Sequence, residues 1–548
     1  MAGLSDDRTR GPLVALAIAS AVLLALRLYA AHVVGFGDSE ALYACYAMHP
    51  QPAYVDHPGL IGLLARAIGH GGAPTPEAAH VVTAVVATLL PWLLVVAARA
   101  AGATWRWSLV AGLALAATPE IGVGLFAMTP DLPLACTWIG ALGLSAFGLR
   151  YEPTSSRAAA ALVFAGLLAG IGCAAKVSGA LLLIALVITY ASRPARTHAR
   201  TPWPWVGIAL GALVAFPWVA YEARAGFPML RHRLIDTQAE AGASIRNVLA
   251  LIGGQLAYVS PLLLVAAVLV ARELVRARRA PEVVTRLCAV AFVLPFTLLV
   301  LLCLWSRVAE PHWIAPALLA LVIYGSVAPR AVSRRLMIPA IATGFAFIGA
   351  AHAWVLVPAS ARLLPESADP KLDIASELVG WPSATLAVRE ILEDERLVDP
   401  DDVPVVVGPH WTICAQLHAA LGPTVAVGCD GPTRDDFDTW LPRERWRRRG
   451  DILFVTDGRF PVDLAARFPT RLATRSWQVP VERGGRLARL FTLTLLEPRA
   501  MGMSSAESPP APGYSLAVAG AIVRSPASRM SARSSASSGF GVVSSFSP

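Results

Sequence analysis

Five short stretches hold most of the side chains in this sequence that could do chemistry. Asp38-Ser39-Glu40 is followed by the phenol of Tyr43. Asp56-His57-Pro58 comes soon after, and Asp131 follows Thr129-Pro130. Lys176 stands alone, and Glu310-Pro311-His312-Trp313 completes the set. Carboxylates take protons from hydroxyl groups in general base catalysis. A lysine ammonium suits a phosphate as a point charge. Each stretch also has a plainer reading. Asp38 and Glu40 could begin a solvated loop, and Asp56 and His57 could hold that loop's fold. Asp131 could cap a helix N-terminus, where an acid is favoured. Lys176 could snorkel from a turn. His312 and Trp313 could be an interfacial pair, since tryptophan gathers at membrane surfaces.

The elements that must position these residues are membrane spans. Of 548 residues, 55% are hydrophobic and 15% charged, against roughly 25% charged in soluble proteins. Mean hydropathy is +0.57. These values exclude a disordered chain, a collagen-like chain and an ordinary soluble enzyme. A span needs about 20 mostly apolar residues, and about eleven segments qualify. They lie near 12–35, 78–98, 107–126, 131–149, 158–175, 177–192, 203–220, 247–270, 284–304, 311–328 and 336–357. The first has a basic start like a signal peptide, but Arg27 interrupts its apolar core, so it reads as an uncleaved anchor.

The charges orient this stack. Only two of the 46 basic residues are lysines, Lys176 and Lys371. Arginines occupy alternate connections: Arg8 and Arg10, Arg99 and Arg106, Arg150 and Arg157, Arg193 to Arg200, Arg272 to Arg286, and Arg330 to Arg335. The positive-inside rule makes these cytoplasmic, with the N-terminus. The net charge of +9 therefore concerns orientation rather than nucleic acid. All five chemical stretches, with Glu120, then fall at the outer face. Ionisable residues at membrane depth carry a functional hypothesis by default. Two outer segments are long, Gly35–Glu77 and Tyr221–Arg246. Within the first, residues 58–70 form a short apolar helix expected to lie in the membrane interface.

Past residue 358 the pattern changes. Runs near 403–407, 424–428 and 452–456 read as strands, with helices near 384–395 and 411–421 and an antiparallel finish near 472–497. The expected division is a membrane domain over 1–358, a small outer α/β domain over 359–498, and a disordered Ser/Ala/Pro-rich tail over 499–548. None of the seven cysteines forms a CxxC pair. Cys414 and Cys429 both fall in the outer domain, which leaves a disulfide between them open. No His, Cys, Asp or Glu set has metal-ligand spacing, so a divalent cation also stays open.

At this point a resemblance becomes specific. Gly37–Leu64 resembles the first outer loop of bacterial membrane glycosyltransferases of the protein O-mannosyltransferase and lipid A aminoarabinose transferase type, within the C-type glycosyltransferase (GT-C) superfamily. It carries Asp38-Ser39-Glu40, Tyr43 and Val55-Asp56-His57-Pro58-Gly59-Leu60. Thr129-Pro130-Asp131, Lys176, Glu310-Pro311-His312-Trp313 and Asp435-Asp436-Phe437-Asp438-Thr439-Trp440 follow in the family's order. Two departures stand out. Ser39 splits the adjacent acid pair, leaving open whether Asp38 or Glu40 holds the catalytic position. Gly59 replaces a second proline, which is expected to loosen that turn.

The resemblance implies a polytopic α-helical GT-C protein with a small periplasmic α/β domain, in the bacterial inner membrane. It implies a sugar donor carried on a polyprenyl phosphate, a lipid, glycan or protein acceptor, contact with membrane lipids, and no nucleic acid. Transfer would be an inverting displacement. Asp38 would be the base, with Glu40 assisting or replacing it. Tyr43, Asp56, His57, Asp131, Lys176, Glu310, His312 and Trp313 would bind substrate, Lys176 stabilising the departing phosphate. Arg231, Arg233 and Arg246 could help. The rival class is a transporter or flippase. That class usually shows paired repeats and polar groups near the midplane; neither is visible here. A third class, a receptor or assembly protein using the 359–498 domain, would not need the acidic loop.

Overall fold

The computed structural model describes residues 7–236, 241–278, 282–306, 310–365, 373–398 and 403–499. The tail expected to be disordered lies, after Arg499, outside the described residues. The protein is a multi-pass helical membrane protein with a small mixed-sheet domain at its C-terminal side.

Apolar runs fold as expected into helices. In chain order these are α1 (Asp7–Val33), α2 (Asp38–Met48), α3 (Leu60–Ile68), α4 (Pro76–Ala101), α5 (Trp105–Ala116), α6 (Pro119–Gly122), α7 (Asp131–Leu149), α8 (Ser156–Ala175), α9 (Gly179–Ala191), α10 (Arg196–Ala199) and α11 (Trp203–Ala225). Then come α12 (Pro228–Leu234), α13 (Ile245–Tyr258), α14 (Pro261–Ala277), α15 (Val283–Trp305), α16 (Ala315–Val327) and α17 (Arg334–Leu356). Among the described residues, seven helices are long and apolar enough to cross a membrane, or ten when each bent pair counts as one span. Two of the segments expected as straight spans are bent. The span expected at 247–270 is two helices, α13 and α14, meeting at 104°. Pro261 cannot donate to the helix ladder, and Ser260 before it adopts φ 74°. The span expected at 107–126 likewise breaks before Pro119 and bends by 73° between α5 and the short helices after it.

Small residues set a very close helix contact. A Cβ at Gly166 or Gly170 of α8 would lie within 2.3 Å of the backbone of Gly207 or Gly211 of α11. Small residues allow such backbone approach where lipid offers no hydrophobic driving force between helices. This pairing fixes α8, whose C-cap is Lys176.

The segment between α1 and α4 is not a loose loop. Glu40 through Ala47 of α2 are all buried. On α3, Ile61 and Ala65 face inward while Leu63 and Leu64 are exposed. The turn before α3 is closed rather than loosened by Gly59. Its N–H donates to the Pro52 carbonyl at 2.8 Å, and a Cβ there would lie 2.4 Å from the Gln51 oxygen. A proline could not make that bond.

The C-terminal domain continues with α18 (Trp381–Val398), β1 (Val405–Gly408), α19 (Trp411–Leu421), β2 (Val427–Cys429), α20 (Asp436–Trp440), α21 (Arg443–Trp446), β3 (Ile452–Asp457), α22 (Leu464–Arg467), β4 (Arg471–Arg483) and β5 (Arg486–Pro498). The sheet order is β2-β1-β3-β5-β4, parallel across β2, β1 and β3 and antiparallel from β3 to β4. Gly484 and Gly485 turn the β4–β5 hairpin at positive φ, as a two-residue turn between twisted strands requires. Cys414 and Cys429 form a disulfide, with Cα atoms 5.7 Å apart.

The domain docks on α2 through α19. Gln416 donates to the Phe36 carbonyl at 2.8 Å, and the Nε2 atoms of His49 and His418 lie 2.9 Å apart. Apolar contact between Ala41, Leu42 and Cys45 of α2 and Ile413 and Leu417 of α19 joins the two parts into one core.

Candidate active site

Most of the residues singled out in the sequence converge at one end of the helix bundle. Asp131 opens α7 and accepts both its hydrogen bonds from Lys176 Nζ, at 2.8 and 2.9 Å. The Nε2 of His312 lies 3.9 Å from the same carboxylate, and its Nδ1 lies 3.2 Å from Glu310. Asp56 pairs with Arg233 of α12 at 2.8 Å, with His232 at 3.9 Å. One ring ties the two pairs together. Trp313 lies 5.8 Å from Lys176 Nζ and 5.8 Å from the Arg233 guanidinium carbon. Cations near an indole face are attracted by its quadrupole. Tyr43 and His57 share a hydrogen bond of 3.0 Å. Burial pushes the His57 imidazole down to about 3 and the Tyr43 phenol well up, so both are neutral near pH 7.

This arrangement follows from how the chain is cut into elements. Lys176 sits where α8 stops, in extended backbone before the turn into α9. Asp131 is the first residue of α7, where a carboxylate suits the positive end of the helix. The helix-end reading and the binding reading are therefore compatible. The two histidines and the tryptophan arrive from a 3-10 turn ahead of α16 and from α12.

A long apolar cleft opens from this cluster. Its walls come from α5, α14 and α16, with Ala111, Leu115, Leu263, Ala266, Leu319 and Val322 among them. Glu120, Asp131, Gln255, Tyr258 and His312 line its polar end; Trp107, Pro329 and Met337 mark the other. From Trp107 to Leu115, α5 runs along the cleft for about 12 Å at 1.5 Å per residue.

Asp38 and Glu40, the expected reacting carboxylates, are engaged elsewhere. Glu40 is a keystone. It accepts from the Gly37 N–H at 2.9 Å, from the Met128 N–H at 2.6 Å, and lies 2.8 Å from His80 Nε2. Its side chain is 6% exposed. Asp38 accepts from Arg459 of the C-terminal domain at 2.7 Å, and Arg459 also donates to Asp457 at 2.9 Å. Breaking a largely buried ion pair by removing one partner costs about 3 kcal/mol or more. Arg459→Gln is therefore expected to lower the apparent melting temperature and to expose the α2–α19 junction to protease. Protection equal to that of the native protein would sink that role for the pair.

Of the auxiliary arginines, Arg233 joins the cluster, whereas Arg231 pairs with Asp236 at the surface at 3.5 Å. His232, Gln255 and Tyr258 were not anticipated. His232 had a signal, lying between the two arginines suggested as helpers. Gln255 and Tyr258 had none, because the helix break that turns them inward looked like a continuous span. Among the described residues no group of three or more His, Cys, Asp and Glu side chains is placed to hold a metal ion.

Comparison with known proteins agrees with this picture. Residues 56–221, from Asp56 through Asp131 and Lys176, match the family described as dolichyl-phosphate-mannose-protein mannosyltransferase. No curated protein sequence matches the chain. Among solved structures, ArnT from Cupriavidus metallidurans in the apo state is similar with a TM-score of 0.56 and 17% identity, covering 88% of this chain and 98% of that one. The same protein bound to undecaprenyl phosphate gives a TM-score of 0.54 and 17% identity, covering 91% and 99%. The resemblance to GT-C glycosyltransferases drawn from the sequence is thereby borne out.

Proposed function

We propose that this GT-C membrane glycosyltransferase moves a sugar from a polyprenyl-phosphate donor to a hydroxyl of a lipid, glycan or protein acceptor, by a single inverting displacement. The observation that carries the reading is the apolar cleft ending at the Asp131–Lys176–His312 cluster. A lipid-linked sugar phosphate has that same division, an apolar tail and a charged head. The similar ArnT binds undecaprenyl phosphate. The arginine-rich alternate connections support a reaction face away from the cytoplasm, at the outer side of a bacterial inner membrane.

In this reading the donor phosphate rests on Lys176 and Arg233. Asp131 holds Lys176 in place through two hydrogen bonds. The acceptor oxygen attacks the anomeric carbon while the bond from that carbon to the phosphate oxygen breaks. The bonding electrons pass to the phosphate, where Lys176 and Arg233 stabilise the developing charge. The acceptor proton goes to a carboxylate. Asp56 is better placed for that than Asp38 or Glu40. Its side chain is 24% exposed, against 11% for Asp38 and 6% for Glu40. Its partner Arg233 shares the Trp313 ring with Lys176.

The direct test is a transfer assay with purified protein, a panel of polyprenyl-phosphate sugars and membrane extract, read by mass spectrometry. The expected products are a sugar-modified acceptor and free polyprenyl phosphate in equal amounts. Absence of both across hexose and pentose donors would overturn the reading.

A further inference from the structure

We infer that Asp436, in the C-terminal domain, is a positioning residue for the transfer reaction, because it suspends the loop that carries Asp56 and His57. The inference rests on the reading that Asp56 belongs to the reacting cluster.

The loop closes on itself almost completely. The Tyr54 N–H donates to the His57 carbonyl at 2.9 Å, the Gly59 N–H to the Pro52 carbonyl at 2.8 Å, and Ala53 bridges to Pro58. The N–H of Val55, directly before Asp56, is met from the other domain. It donates to Asp436 Oδ1 at 3.0 Å. The second oxygen of Asp436 accepts from the Tyr46 hydroxyl, also at 3.0 Å. Tyr46 in turn stacks on Tyr54 with ring centroids 3.6 Å apart and planes 2° apart. One carboxylate thus grips the loop tip directly and, through a stacked tyrosine pair, from the side.

The neighbouring acids show why Asp436 is free for this. Asp435 caps α20 by accepting from the Phe437 N–H at 3.0 Å. Asp438 returns to the Asp435 N–H and is held by Arg443 at 2.6 Å. With those two committed to α20 itself, Asp436 points across the domain junction, 5% exposed. Burial pushes its carboxyl up to about 7. An asparagine there keeps the acceptor for Val55 at little electrostatic cost, which makes it the conservative variant. The contact spans 381 positions of sequence, so docking of the C-terminal domain completes the reacting loop.

The test compares wild type, Asp436→Ala and Asp436→Asn in the full chain. Steady-state transfer and hydrogen–deuterium exchange over residues 52–59 are the two readouts. Asp436→Ala is expected to lower kcat by about 10- to 100-fold, the scale of a small misplacement of a reacting group. Donor KM should stay within about threefold, since Lys176 is held by Asp131 outside this loop. Exchange at the loop should rise while exchange in α19 stays native. Asp436→Asn should recover most of kcat. Native exchange in the alanine variant, or raised exchange with unchanged kcat, would overturn the inference. A parallel fall in α19 protection would show a merely structural role and also overturn it. A wild-type protein that transfers no sugar would overturn the functional reading and the catalytic half of this inference with it, while the exchange measurement still decides whether Asp436 grips the loop.

Discussion

Asp56→Asn is expected to lower kcat by about 10²- to 10⁴-fold, the usual contribution of a general base. The amide is nearly isosteric and keeps an oxygen for the Arg233 contact seen at 2.8 Å, but it cannot take the acceptor proton. Donor binding should change little, so the loss should appear in kcat rather than KM. Asp38→Asn is the contrasting case. Its oxygen still accepts from Arg459, and kcat should stay within about tenfold of wild type. The two variants separate the competing assignments in one assay. A collapse of kcat in Asp38→Asn with near-normal Asp56→Asn would return the base to the head of α2. It would also mean that the 2.7 Å pair with Arg459 opens during the reaction.

Lys176→Met should be nearly as damaging. A preorganised charge aimed at a departing oxyanion is worth about 10²- to 10³-fold in rate, and in the proposed mechanism this lysine also holds the ground-state phosphate. Both kcat and donor affinity should therefore fall. The variant also leaves Asp131, 16% exposed, facing apolar cleft without its partner, so part of the loss could be misfolding. The double variant Lys176→Met with Asp131→Asn removes that complication. It should fold as wild type by thermal melt and remain inactive. Lys176→Arg should also be impaired, because its larger planar fork would pair with both Asp131 oxygens and move the charge away from the position of the compact ammonium. Near-native transfer by the double variant would remove Lys176 from the reaction.

The helical membrane character and the gathering of Asp131, Lys176, His312 and Trp313 at one end of the bundle were all readable from residue order. Alternating apolar runs place every second connection on the same side, so residues at those connections share a face wherever the helices pack. The α/β segment was equally readable, since β1, β2, β3 and the β4–β5 hairpin each announce themselves by local pattern. Hydropathy alone did not show the break at Ser260-Pro261, because both halves are apolar and a bend hardly changes a window average.

The roles of the individual acids were not legible in the same way. Asp38, Glu40 and Asp56 are three carboxylates in one short segment, and all looked available. Their fates were settled by partners far away: Arg459 for Asp38, His80 and the Met128 amide for Glu40, Arg233 for Asp56. A carboxylate's chemistry depends on what solvates it, and hydrophobic periodicity carries no information about that. Residue order determined which groups would meet at one end of the helix bundle. Packing between chain segments far apart in sequence decided which carboxylate was sealed, which was paired across the two domains with Arg459, and which was left beside Arg233.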